Sequence, residues 1–260
     1  MPAVVFDVDR TLVDGMTGYL FSQHLLRHAG LSPWAKLRIA WAVGRYRARL
    51  APEEAIVEIG VTAYAGKTVA DLDRWTAACA REEIAGRCYV EATDRIRLHR
   101  EAGDHVLLAS GSSDFVIRAL AREVGAQGVV ATRAEVRGGI STRRIAYPLC
   151  YLDGKRILVR RYLEERGFSL ADATVYTDNL ADLPLLQHVR RAVVVNPLGE
   201  LERIARERGW SVERWTTPAD PRLRYTGTSF PLRQCGVTPG SIVESRPGGT
   251  GEPERSGGCP

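Results

Sequence analysis

From the N-terminus, apolar positions first gather in a short β-branched run, Ala3 to Val8, bounded by carboxylates, which predicts a buried strand. From about Thr17 to Ala102 the apolar positions recur at helical spacing, with no convincing strand among them. Turn residues near Gly30-Leu31-Ser32-Pro33, Ala51-Pro52, Gly66 and Gly86 cut that stretch into four or five helices. Strand-like runs return at His105 to Ala109, Gly128 to Thr132, Ala173 to Thr177 and Ala192 to Val195. Helices are expected between and after them, near Asp114 to Val124, Gly154 to Arg166, Leu180 to Val189 and Glu200 to Arg208. Arg133 to Tyr147 alternates on both sides of Gly138-Gly139 and reads as a hairpin.

Strands alternating with helices imply an α/β fold with a Rossmann-like, doubly wound parallel sheet. The helical stretch after the first strand is too long for a crossover. It predicts an inserted helical domain over the C-terminal edge of the sheet, where such folds place their sites. The expected division is a core of residues 1–14 plus 90–216, a helical cap of 15–89, and a tail of 217–260. That tail holds seven prolines and eight glycines in 44 residues, a composition that predicts little structure.

Composition narrows the class. The 260 residues are 45% hydrophobic and 26% charged, as in soluble globular proteins. No apolar run approaches the roughly 20 residues of a membrane span. Met1-Pro2-Ala3-Val4-Val5-Phe6-Asp7 has neither the basic region nor the cleavage site of a secretory signal. The five cysteines (79, 88, 150, 235 and 259) are odd in number and form no C-x-x-C pair. They read as reduced thiols of a cytoplasmic protein, not as a disulfide framework or zinc knuckle. His24 and His28 have metal-ligand spacing on one helix face, but the adjoining sequence offers no acidic or Cys partner, so no metal site is expected there.

The chemistry concentrates at strand ends. Asp7 and Asp9, at i and i+2 just past a buried strand, project to one side of the sheet edge. Converging aspartates bind hard cations and divide the work of nucleophile and general acid/base. In a purely structural role, Asp9 or Thr11 would only cap a turn. Ser110-Gly111-Ser112-Ser113 follows the second strand and opens a helix, an arrangement that suits an anion or simple N-capping. Lys155, one of only three lysines with Lys36 and Lys67, begins the next helix; it suits a phosphate, a carboxylate or plain solvent. Asp178 and Asp182, at i and i+4 after a further strand, would complete and support a cation site, or Asp182 would serve the helix dipole.

Asp7-x-Asp9-x-Thr11, Ser110, Lys155 and Asp178-x-x-x-Asp182, in this order and each after a strand, resemble the four motifs of the haloacid dehalogenase superfamily. The resemblance spans about residues 3 to 215. It is closest to subclass IB, which includes the phosphoserine phosphatases and inserts a helical cap after the first motif. It implies a phosphatase with Asp7 as nucleophile, forming an aspartyl-phosphate, and Asp9 as general acid/base. It further implies Mg²⁺ held by Asp7, Asp178 and the backbone carbonyl of Asp9. Thr11, Ser110, Gly111 and Lys155 would meet the phosphate, with Asn179 and Asp182 supporting. Arg10 departs from the small Gly usual at its position, and Asn179 stands where relatives often carry Ser or Gly.

Charge then bears on the substrate. Residues 15 to 52 carry Arg27, Lys36, Arg38, Arg45, Arg47 and Arg49 and no acid, so a formal +5 overall is +6 here and −1 elsewhere. Phosphoserine phosphatases bind the substrate ammonium with a glutamate in this region, so the expected substrate is a small phosphate ester other than phosphoserine. A further anionic or apolar part suits it better than a cationic one. Trp34, Leu37, Ile39, Trp41 and Val43 interleave with the basic residues. They could line an apolar pocket, place residues 33–50 on an anionic membrane surface, or, most simply, pack inward while the arginines stay solvated. No nucleic-acid partner is expected, for want of any recognised module. Two alternatives to the phosphatase stay open: a phosphotransferase or phosphonatase of the same superfamily, the latter needing Lys36 or Lys67 as a Schiff base, or a non-catalytic membrane- or partner-binding protein using the basic segment.

Overall fold

The computed structural model describes residues 1–28, 33–48, 64–220 and 222. Strand β1 (Ala3–Asp7) lies at the middle of a seven-stranded sheet. Around it are β2 (His105–Ser113), β3 (Gly128–Arg137), β4 (Ile140–Ala146), β5 (Thr174–Thr177), β6 (Arg191–Val195) and β7 (Ser211–Glu213), in the order β4-β3-β2-β1-β5-β6-β7. All neighbours are parallel except β3 and β4. This is the expected α/β, doubly wound sheet, and every residue of β1 is buried, as a strand covered on both faces requires.

The period-two alternation of β1 divides the core. Val4 and Phe6 face one apolar layer, in which Phe6 stacks on Tyr176 with centroids 4.5 Å apart. Ala3 and Val5 face the other, with Leu107, Ala109, Val175 and Val194. Among the described residues the helices in chain order are α1 (Thr17–His28), α2 (Pro33–Arg47), α3 (Val69–Cys79), α4 (Val90–Glu101), α5 (Asp114–Val124), α6 (Asp153–Glu164), α7 (Leu183–Leu186) and α8 (Gly199–Glu207). Four of these, α1 to α4, fall between β1 and β2. The hairpin forms as read, with Gly138 and Gly139 both at positive φ (55° and 76°), the backbone a tight two-residue turn demands.

Four expectations are corrected. The helix foreseen from Leu180 to Val189 is a 3₁₀ turn (Leu180–Asp182) followed by the single turn α7, with Pro184 at its start. Strand β7 was not foreseen, because three residues with one apolar member leave no period to read. Residues 217–220, assigned to the unstructured tail, pair with the chain at Gly86–Val90: Thr217 O accepts from Val90 N, and Ala219 N and Asp220 N donate to Cys88 O and Gly86 O. Backbone pairing, which composition does not encode, holds them. Finally, the apolar side of α2 does not pack inward. Trp34, Leu37 and Trp41 are more than half exposed, and among the described side chains of this helix only Ile39 is buried. The side chains of Arg38, Val43 and Arg47, the turns at 29–32 and 51–52, and the tail beyond 222 lie outside the described residues.

Candidate active site

Asp7 is the last residue of β1, where the sheet order turns from β2 on one side to β5 on the other. That switch point leaves a crevice beyond the carboxyl ends of the strands. The loop that follows is tied down by Leu12 N and Val13 N, which both donate to Val8 O. Arg10 sits in this loop at φ 65°, and its Nε lies 3.3 Å from Asp178 Oδ2. Thr11 is fully buried beneath. Its hydroxyl stands 3.0 Å from both Asp7 Oδ2 and Asp178 Oδ1 and accepts from Asp178 N.

Four donors converge on Asp9. Thr17 gives its backbone N–H and hydroxyl to Oδ1, and Ser110 and Ser112 give their hydroxyls to Oδ2. Burial raises the pKa of Asp9 and nearby Asp7 adds to this, while the Thr17 and Ser112 bonds pull the other way. The net shift is upward, toward the proton-carrying form.

Lys155 is buried in the first turn of α6, with Nζ 2.6 Å from Asp7 Oδ1 and 2.6 Å from Asp182 Oδ2. Burial alone would discharge it, but Asp182 and Asp7 outweigh burial and its pKa is raised. Thr177 closes the cluster by donating to Asp182 Oδ2 at 2.6 Å. The glycine before Lys155 is sterically required, since a Cβ on Gly154 would lie 2.2 Å from the Leu149 carbonyl oxygen. Burial likewise raises the Asp178 and Asp182 carboxyls, with Asp7 reinforcing both. Carboxylates crowded in low dielectric call for cations, and here Lys155 and Arg10 are the side-chain cations that meet them.

The sequence thus names most of the cluster. Asp7, Asp9, Lys155, Asp178 and Asp182 come together through β1 and the loop after it, α6 and the turn after β5. Gly111 and Asn179 line the adjoining pocket, and Asn179 also caps the 3₁₀ turn through Oδ1 to Ala181 N. One expectation changes. Thr11 was read as a phosphate contact, but its buried hydroxyl is committed to Asp7 and Asp178, so it orients carboxylates. Ser110 is also fully buried, donating to Asp9 and accepting from Ser112 N. Ser112, Thr17 and Thr177 were missed, because polar residues common in loops signal nothing until the fold brings them to a partner.

The pocket beside the cluster is a cavity of about 90 Å³. Its other walls are apolar and aromatic, including Met16, Phe21, Tyr64, Val116 and Tyr151. Tyr64 is held there by a 2.5 Å hydrogen bond with Ser113, and nothing local in the sequence marks it. Beyond Asp7, Asp9 and Asp182, no carboxylate lines the cavity among the described residues.

Known proteins resemble this chain in sequence and fold. The family model of haloacid dehalogenase-like hydrolases matches residues 4–187. A probable phosphatase of Mycobacterium tuberculosis is 28% identical over 230 residues, 87% of this chain and 80% of that protein. A phosphoserine phosphatase of the same organism is 29% identical over 214 residues, 81% and 70% of the two chains. A crystal structure from Bordetella pertussis Tohama I, of a protein with unknown function, superposes with a TM-score of 0.72 at 31% identity, over 82% of this chain and 97% of that one. By sequence family and by fold, the chain belongs to the haloacid dehalogenase superfamily, and within it to the phosphatases.

Proposed function

We propose that the protein hydrolyses a small phosphate monoester through an aspartyl-phosphate on Asp7. The observation that carries this is Asp7 itself: a carboxylate at the pocket edge, flanked by the Lys155 ammonium and the Thr11 hydroxyl. One Asp7 oxygen attacks phosphorus while the bond to the leaving oxygen breaks, and Asp9 gives that oxygen its proton. Asp9, now a carboxylate, takes a proton from water, whose oxygen displaces Asp7 and releases inorganic phosphate. Lys155 stands between Asp7 and Asp182 and sets a positive charge beside the nucleophile. Ser110 and Gly111 are the proposed phosphate contacts, Ser110 once its hydroxyl turns from Asp9.

The all-oxygen donor set suits a hard divalent ion. Asp7, Asp178 and the Asp9 carbonyl would hold Mg²⁺, which supplies positive charge against the transferring phosphoryl group. Asp7→Asn should abolish phosphate release from an aryl phosphate in the presence of Mg²⁺; unchanged turnover would overturn the reading.

The cavity walls bear on the substrate. Aromatic and apolar side chains, with no carboxylate spare for an ammonium, favour an apolar leaving group over that of phosphoserine. Arg10 at the pocket edge would favour a further anion. The segment 15–89 is read as the cap that selects this group. Phosphonatase chemistry loses ground, since neither Lys36 nor Lys67 lines the cavity. The exposed stripe of Trp34, Leu37 and Trp41, with Arg45 stacked 4.8 Å over Trp41, favours a second property: contact of residues 33–50 with an anionic membrane surface. Vesicles of anionic phospholipid that fail to retain the protein would remove it. No helix among the described residues is long and apolar enough to cross a membrane, and the buried free thiols of Cys79, Cys88 and Cys150 accord with a cytoplasmic setting.

A further inference from the structure

Away from the pocket, three different donor types meet between α1 and the end of α3. His24, on the inner face of α1, is 2% exposed. Cys79, the last residue of α3, is fully buried. Glu83 follows in a π-helical turn, Ala80–Ile84, a widened geometry that recurs at functional sites. The three donor atoms all lie within 4.8 Å of one another. Glu83 Oε1 is 2.7 Å from His24 Nδ1, while its Oε2 accepts from Arg27 at 2.6 Å. The ring of His28 stands 4.8 Å from that of His24, at the solvent side of the cluster.

In the sequence, His24 and His28 lacked a Cys or acidic partner. The fold supplies both, from a segment 59 positions away. We propose that His24, Cys79 and Glu83 form a second metal site, for a borderline divalent transition ion of which zinc is the best match. Mixed nitrogen, sulfur and oxygen donors discriminate against Mg²⁺, which takes oxygen. A tetrahedral zinc with bonds of about 2.0–2.3 Å holds its donors roughly 3.5 Å apart. Small side-chain rotations bring the three atoms to that spacing, leaving a fourth position for water or His28. Arg27 on the far carboxylate oxygen is the kind of outer partner that fixes a ligating carboxylate. Binding exchanges the Cys79 thiol proton for the metal, and the proton leaves to buffer. The ion would clamp α1 to the end of α3. Because Thr17 of α1 also holds Asp9, occupancy would steady the wall of the pocket without entering it.

The test uses the full-length protein, stripped with chelator and titrated with Co²⁺ alone. One equivalent should give a thiolate-to-cobalt charge-transfer band with tetrahedral d–d bands, and Zn²⁺ should erase both. Cys79→Ala should abolish the thiolate band, and Glu83→Gln should weaken Co²⁺ binding about tenfold or more. Cys88→Ala and Asp178→Asn should leave the band intact. Co²⁺ among the active-site carboxylates gives no thiolate band, so failure of the catalytic reading would not imitate failure here. Absence of the band in the folded wild-type protein, or its survival in Cys79→Ala, which would assign it to another cysteine, overturns the proposal. Should Cys79→Ala not fold, unchanged Co²⁺ affinity in both Glu83→Gln and His24→Gln would overturn it equally.

Discussion

Arg10 and Asp178 form an ion pair across the mouth of the site, Nε to Oδ2 at 3.3 Å, with the arginine side chain 30% exposed and the aspartate 9%. A guanidinium on a carboxylate that would hold Mg²⁺ competes with the ion. Arg10→Gly should therefore tighten Mg²⁺ by roughly tenfold, about 1.4 kcal/mol, a figure already reduced for solvent screening. Calorimetric Mg²⁺ titration of the variant checks this. Glycine fits the φ of 65° without strain, so the melting temperature should not fall because of the backbone. Unchanged affinity would mean that Arg10 serves only the loop.

Thr17→Val removes one of the hydrogen bonds that lower the pKa of Asp9. Burial, the largest influence, is left in place, so the carboxyl moves further up. In the proposed mechanism Asp9 acts first in its protonated form, so activity should decline as pH rises through its pKa. The declining limb of the kcat profile should shift to higher pH, with kcat lowered about tenfold by the loosened geometry. A role for Thr17 in folding alone would leave the limb unmoved.

Lys155→Met would strand Asp7 and Asp182 as buried, unpaired carboxylates. Breaking such a pair costs about 3–5 kcal/mol, to be read from urea denaturation. Gly154→Ala tests the same group without touching its charge. Its methyl would collide with the Leu149 carbonyl, so α6 must shift, and kcat should fall more than KM rises.

The candidate chemistry was legible because each reactive carboxylate and the lysine stand one or two residues from a strand or helix end, where period and position together fix direction. Asp182 shows where that ran out. Its spacing from Asp178 suggested support for a cation site or a dipole partner, and the fold gives it Lys155 and Thr177, from separate elements. Tyr64 and the Cys79–Glu83 turn carry no local signal, because their partners are dozens of residues away, and Thr17 meets Asp9, eight positions back, only through the fold of the intervening loop. The strands themselves likewise followed from the apolar pattern, except β7, too short to show any, while their order in the sheet came from the fold.

His105 offers a stability test. It stacks between Tyr162 and Phe168, and burial, with Arg166 second, lowers its pKa below the ordinary 6.5. The unfolded chain therefore takes up the proton first as pH falls. The stability this group contributes is present above that value and lost as pH drops through the folded-state pKa. Melting temperatures measured from about pH 7.5 to about pH 5.5 should decline, and His105→Gln should flatten part of the slope.

The strip of chain at Thr217–Asp220 lies hydrogen-bonded along Gly86–Val90, where the polypeptide returns from the inserted helices toward the sheet. It works as a splice between the far end of the chain and that return point. A load applied to the residues beyond it is delivered to the base of the insertion, and not to the sheet edge at β7. Cleavage or shortening between Glu213 and Thr217 would unseat this splice first, so residues 217–220 and the base of the inserted helices share one mechanical anchor.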